Sequence, residues 1–271
     1  MAYLRYDKPF GQHFIEFISK DQAVLAGNEK VRSKLNFIGL QIDLITDLVY
    51  EYTNSENVSL DTNDEIINWT FPDVNSDLIG AAWNLNSNLY KITGVCLRNA
   101  YEMSFVALYF QIRQNKEMVN GQTGPYNKFF YEWDKGERDT PSWRETKPIV
   151  NQNEQIKNYN SANNCDIVEE VYSWFKYLCN FTHGRPFNIS LEIPESEATN
   201  HMNIGDGYNE KNFERFYEHI LDTISWIATC WSLSFPSILI DSKKNEEYKS
   251  LFRGPRAIDV YNYISKVNSI T

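Results

Sequence analysis

Glycine and proline are scarce in this chain, with 12 Gly and 9 Pro among 271 residues. A dinucleotide-binding or all-β design spends glycine on tight turns, so the shortage argues against both. Long stretches nearly free of either residue favour long helices. Histidine is scarcer still. His13, His183, His201 and His219 are dispersed, which argues against a histidine-rich zinc site. Cys179 and His183 lie four apart, but no second ligand pair accompanies them, so no metal or other cofactor is expected. Cys96, Cys165, Cys179 and Cys230 show no C-x-x-C spacing. The expectation is four reduced thiols, mostly in core positions, in a reducing compartment. Also missing are the G-x-x-x-x-G-K-[ST] phosphate loop, the G-x-G-x-x-G fingerprint, the G-x-S-x-G elbow and the H-E-x-x-H metal motif.

Long apolar runs are absent too. Residues 1–20 hold no uninterrupted apolar stretch of the kind a secretory signal needs. The most apolar late stretch, Ser225 to Ile240, is interrupted by Ser232, Ser234 and Pro236 and falls short of a bilayer span. These features predict a cytoplasmic protein with no membrane partner. The net charge is −10. An acidic surface repels a phosphate backbone, which argues against broad duplex DNA binding while leaving room for a local basic pocket.

What the chain does have is apolar and aromatic mass: 42% hydrophobic and 15% aromatic residues. That is enough for one substantial core, and the expectation is a single all-α domain over residues 1–271 built on a four-helix core with additional helices. The first helix spans residues 22–52, with Val31, Leu35, Ile38, Ile42, Ile45 and Val49 in one stripe. Residues 54–64 break it. The second spans 84–115. Leu85, Leu89, Ile92, Cys96, Ala100, Met103, Ala107 and Phe110 form its stripe, and Leu97, Tyr101, Phe105, Leu108 and Ile112 widen it. A helix this apolar should be the most buried one, which makes any charge within it informative. The third spans 166–181, capped by Asp166 with Glu169 as capping-box partner and stopped by Gly184 and Pro186. The fourth spans 210–232, and a short helix covers 257–267. Residues 187–193 alternate weakly, as in a short strand, and 205–207 read as a turn. Between the second and third helices, 121–164 reads as an aromatic-rich insertion with one or two short helices, ending in a mobile polar loop from 151 to 164.

Two constellations carry candidate chemistry. Arg98 and Glu102 stand at i and i+4 on the apolar second helix. Their surroundings point to a partly buried pair with further partners rather than a solvated surface pair. The second lies where the third helix ends: Lys176, Tyr177, then His183, Gly184, Arg185 and Pro186. A histidine in the last turn of a helix sits at the negative end of the dipole, and Lys176 and Arg185 would add donors for a phosphate or carboxylate. His219, with Glu218 beside it and Arg215 one turn back, reads as a helix-surface residue.

The pairing of R-x-x-x-E (Arg98, Glu102) with a helix ending Y-x-x-L-C-x-F-x-H (Tyr177, Leu178, Cys179, Phe181, His183) resembles the HEPN superfamily, and more specifically its large HEPN-like bacterial proteins. The resemblance covers about residues 84–186. It implies an all-α, frequently homodimeric fold of prokaryotic defence or toxin-type systems. It also implies a metal-independent ribonuclease whose Arg holds the scissile phosphate and whose His works on the RNA 2′-hydroxyl. Its signature places four to six residues between an Arg and the His. Here the basic residue at the longest of those spacings is Lys176, a point charge without the planar fork. On this reading His183, Arg98 and Glu102 are the catalytic group, and Arg185, Lys176 and Tyr177 bind an RNA or other phosphate-containing ligand. The rival expectation is a non-catalytic helical interaction or sensor protein in which the same cluster is structural. A small-molecule hydrolase or transferase is the third, and it lacks a nucleophile or metal set.

Overall fold

The computed structural model describes residues 28–54, 64–119, 128–182, 210–240 and 244–267. The first element is α1 (Glu29–Asn54). Next comes a hairpin of α2 (Asp64–Asn86) and α3 (Tyr90–Val119). Three short helices follow: α4 (Lys128–Asp134), α5 (Trp143–Asn151) and α6 (Glu154–Asn163). Then come α7 (Ile167–Thr182), α8 (Glu210–Ser234), α9 (Ser237–Ile240), α10 (Asn245–Tyr248) with a 3-10 turn over Lys249–Leu251, and α11 (Gly254–Val267). Among the described residues there is no strand, so the all-α expectation holds. The weak strand expected over 187–193 and the turn at 205–207 lie outside the described residues.

The long helix expected over 84–115 is two helices. The break falls at Asn88, whose φ of 58° lies in the left-handed region that Asn tolerates. The amide of Leu89 returns to the carbonyl of Asn84 at 2.8 Å and that of Asn88 to Leu85 at 3.1 Å, which closes α2 in a tight turn. Leu85 therefore belongs to α2, a helix absent from the four-helix expectation. Its core face is nonetheless regular: Ile67, Phe71, Val74, Leu78, Ala81 and Leu85 are all buried. Pro72 sits inside this helix, where its missing N–H and its ring normally interrupt the ladder.

Burial is shared by two helices rather than concentrated in one. Residues 104–112 of α3 are buried without a gap, and so are residues 227–235, from α8 into Phe235. The two runs are joined where the indole of Trp231, fully enclosed, donates to Ser104 Oγ at 3.0 Å. An indole N–H needs such a partner when buried. Around this pair pack α1, α2, α6, α7, α9 and α11. Trp174 of α7 donates in the same way to Thr223 of α8 at 3.1 Å.

Among its described residues the insertion holds three helices, and its polar end is ordered helix rather than loop. The reason is that its asparagines act as caps. Asn153 accepts from the amides of Gln155 (3.0 Å) and Ile156 (3.2 Å), which starts α6. The same side chain donates to the carbonyl of Ser234 at the end of α8. Asn160 accepts from the amide of Ile167 at 3.0 Å, and Asn164 closes α6 in the left-handed conformation. Ile156 and Tyr159 anchor the helix in the core.

Candidate functional site

α7 runs between α3 on one side and α8 on the other, and each face carries a polar cluster. The close approach to α3 depends on Gly94. A Cβ built there would lie 2.3 Å from the ring of Phe181, which is fully buried. Asp166 starts α7 by accepting from the amide of Glu169 at 3.0 Å, as the sequence suggests. The Glu169 carboxylate does not reach back to complete a box. It pairs with Lys147 of α5 and, at 3.7 Å, with Lys176.

On the α3 side, Arg98 and Glu102 form the expected i,i+4 pair, with Nη1 2.8 Å from Oε2 and Nη2 3.0 Å from Oε1. This two-point geometry fixes the plane of the guanidinium. Asn99 Oδ1 accepts from Nη1 at 3.2 Å, and the guanidinium lies 5.6 Å from the centre of the Phe175 ring. The Cys179 thiol sits beside it, its pKa pushed up by burial against the opposing pull of Arg98. Arg98 is about a quarter exposed and Glu102 about a third. The pair is thus half-buried, between the surface pair and the enclosed one. Burial raises the Glu102 pKa, and Arg98 pulls it the other way. The Nε of Arg98 is enclosed and has no acceptor among the described residues.

Glu102 also borders an open cleft of about 280 Å³ between α2 and α3, lined by Asp73, Ser76, Asp77 and Asn99. Asp77 is raised by burial and by the neighbouring charge of Asp73. Among the described residues no group of His, Cys, Asp and Glu is arranged to hold a metal ion.

On the α8 side, Tyr177 turns away from Arg98. Its hydroxyl lies 2.7 Å from His219 Nε2 and accepts from Arg215 Nη2 at 3.1 Å. With Arg215 supplying one hydrogen, the hydroxyl's own proton is left to donate to a neutral imidazole. Trp174, Tyr177, Phe181 and Phe216 ring His219 with centroids 5.2–6.3 Å away. Burial in that apolar ring, with the charge of Arg215 adding to it, lowers the His219 pKa to about 4. The surface role expected for His219 is replaced by a half-buried contact that joins α7 to α8. Its signal in the sequence was the i,i+4 spacing from Arg215, which only the approach of Tyr177 makes meaningful.

The six residues expected to share one site therefore divide. Arg98 and Glu102 meet at the α3–α7 crossing. Tyr177 joins a different group, and Lys176 lies on the Tyr172 ring at 4.6 Å, about half exposed. His183 and Arg185 lie outside the described residues. Phe175 and Cys179 are the residues of α7 that face Arg98. The four cysteines are free thiols, and only Cys230 is fully buried. No described helix is long and apolar enough to cross a membrane. No protein-family model matches the chain, and no curated protein or solved structure does either.

Proposed function

We propose that this all-α chain is a HEPN-like, RNA- or phosphate-directed module of a prokaryotic defence or toxin-type system, acting as a metal-independent ribonuclease. The observation that carries the reading is the guanidinium of Arg98, held in a fixed plane by Glu102 and Asn99 against the Phe175–Cys179 row of α7. A planar, oriented guanidinium is suited to a phosphodiester. In this reading Arg98 contacts the phosphate, Glu102 orients Arg98, and His183 serves as general acid or base at the 2′-hydroxyl. Arg185 and Lys176 add phosphate contacts, and Tyr177 fixes α7 against α8. The assembly that goes with it is a homodimer in the cytoplasm.

A second reading has its own support. Asp73 and Asp77 line the cleft beside the guanidinium, an environment that repels phosphate. Arg98 would then be a structural clamp in a helical interaction or sensor protein. One experiment separates the two: mixed RNA in EDTA with the wild type, Arg98→Ala and His183→Ala. The ribonuclease reading expects cleavage by the wild type and a loss of about 100-fold or more in each variant. Intact RNA with all three proteins, together with a lowered melting temperature in Arg98→Ala, would establish the structural reading instead.

A further inference from the structure

Next to Arg98, on the α5 side, lies an aromatic stack that the catalytic reading touches only through Phe175. Trp143 is nearly parallel to Tyr172 (4.8 Å, 9°) and to Phe175 (5.7 Å, 13°), and all three rings are half-buried. Trp143 is also backed by Phe105 of the core at 4.8 Å. Cations lie along this stack: Lys176 at 4.6 Å and Lys147 at 6.0 Å from the Tyr172 ring, Arg98 at 5.6 Å from Phe175. Glu169 ties the two lysines together. The crevice between Glu102, Phe105, Trp143, Thr146 and Phe175 is only about 10 Å³, barely room for one water. A ligand therefore lies on the ring faces and not between them. The Nε of Arg98 and the indole N–H of Trp143, both enclosed, lack acceptors among the described residues. Each buried donor without a partner calls for an explanation, and a bound water, ion or ligand group nearby is one.

From these observations we infer that the Trp143–Tyr172–Phe175 stack is the seat of an unpaired nucleotide of a single-stranded RNA. The base lies on the outer ring face, in the place of the lysine heads, and Lys147 and Lys176 turn to its phosphates. Stacking on an aromatic face combined with nearby cations is the way proteins hold single strands without reading sequence. Asp73 and Asp77 on the α2 side direct an anionic strand toward α5 and α7. The inference rests on the RNA-directed reading and adds to it the strandedness of the substrate and the residues that hold it.

The test is fluorescence anisotropy with a short 2′-O-methyl oligonucleotide, which cannot be cleaved through its 2′-hydroxyl, offered as single strand and as duplex. The wild type is expected to bind the single strand at least about tenfold more tightly than the duplex. Tyr172→Ala and the double variant Lys147→Ala/Lys176→Ala each weaken it about tenfold, and Tyr172→Phe keeps it. Each variant's melting curve is recorded, and the lysine variant, which leaves the three rings in place, carries the test if Tyr172→Ala unfolds. Equal affinity for duplex would mean charge alone and would overturn the inference. Binding that falls in Arg98→Ala but ignores Tyr172 and both lysines would overturn the seat and leave the Arg98 reading standing. Binding that depends on the stack, with no cleavage by the wild type, would keep the seat and sink the ribonuclease. Absence of binding to either strand would end both.

Discussion

The two faces of α7 hold polar clusters of similar size under opposite electrostatic rules. Toward α3, the Arg98 guanidinium is met by two acceptors, Glu102 and Asn99, and a quarter of the side chain reaches water. Toward α8, His219 gives its charge up. Its ring of aromatic neighbours offers no carboxylate, and Arg215 adds a like charge. Burial is costly for either ion: an imidazole, which titrates near neutrality, answers it by losing its proton, whereas a guanidinium stays charged and has to be given acceptors. The sign of the response to acid differs accordingly. Protonation is resisted at His219, while burial promotes it at Glu102 and Asp77. One helix thus presents a charged, partly open face suited to a ligand and a neutral, packed face suited to fixing position.

The comparison breaks most severely at Gly94, because the α3–α7 approach sets both faces. Alanine gains roughly 1 kcal/mol of helix propensity over glycine, but its methyl would lie 2.3 Å from one Phe181 ring atom and 2.7 Å from two others. Phe181 in turn packs on Tyr177 and Phe216, so it has nowhere to retreat. Gly94→Ala is expected to cost about 3 kcal/mol net, read by urea denaturation. A loss under about 1 kcal/mol would mean that the helices separate easily and that neither face is rigid.

Acid sharpens the contrast next. The folded pKa of His219 lies near 4, below the 6.5 of a free histidine. As pH falls from 6.5 toward 4 the unfolded chain takes up a proton that the folded one refuses, so stability is lost in that window. The expected loss at this site is about 2 kcal/mol by about pH 4.5. The measurement is the melting temperature against pH for the wild type and for His219→Gln, which does not titrate. The wild type should fall more steeply. Parallel curves would place the imidazole in contact with solvent and dismiss the neutral clamp.

Much of this architecture was legible in the chain. The stripe of α1 stands in the sequence at helical spacing, and Val31, Leu35, Ile38, Ile42, Ile45 and Val49 are buried as expected. The α2 stripe was equally regular at Ile67, Phe71, Val74, Leu78, Ala81 and Leu85, but Pro72 argues locally against a helix that tertiary packing nevertheless maintains. The asparagines of 151–164 read as loop because polarity is the local signal. Their capping roles depend on where chain ends fall, as with Asn153 and the end of α8. The Arg98–Glu102 pair could be read from its spacing alone. The Tyr177–His219 contact could not, since it spans 42 residues and depends on which way each helix is turned. An adjacent position on α7 was enough to send Tyr177 and Lys176 to different neighbours.

The smallest stability effect and the most informative functional one meet at Glu102. Glu102→Gln keeps the size and one acceptor oxygen for Arg98, so the loss of the half-exposed pair should cost under about 1 kcal/mol at neutral pH. The pH response should run opposite to that of His219. A carboxyl whose folded pKa is raised stabilises the fold once protonated. The wild type therefore gains on the variant as pH falls through the raised value toward 4.5, and that gain disappears again as pH rises. At neutral pH the glutamine no longer fixes the guanidinium by charge, so the proposed ribonuclease reading expects RNA cleavage to fall more than tenfold while the melting temperature barely moves. A variant that is markedly less stable yet fully active would reverse the assignment: the pair on the α3 face would then be the clamp, and the open face of α7 would have no role in chemistry.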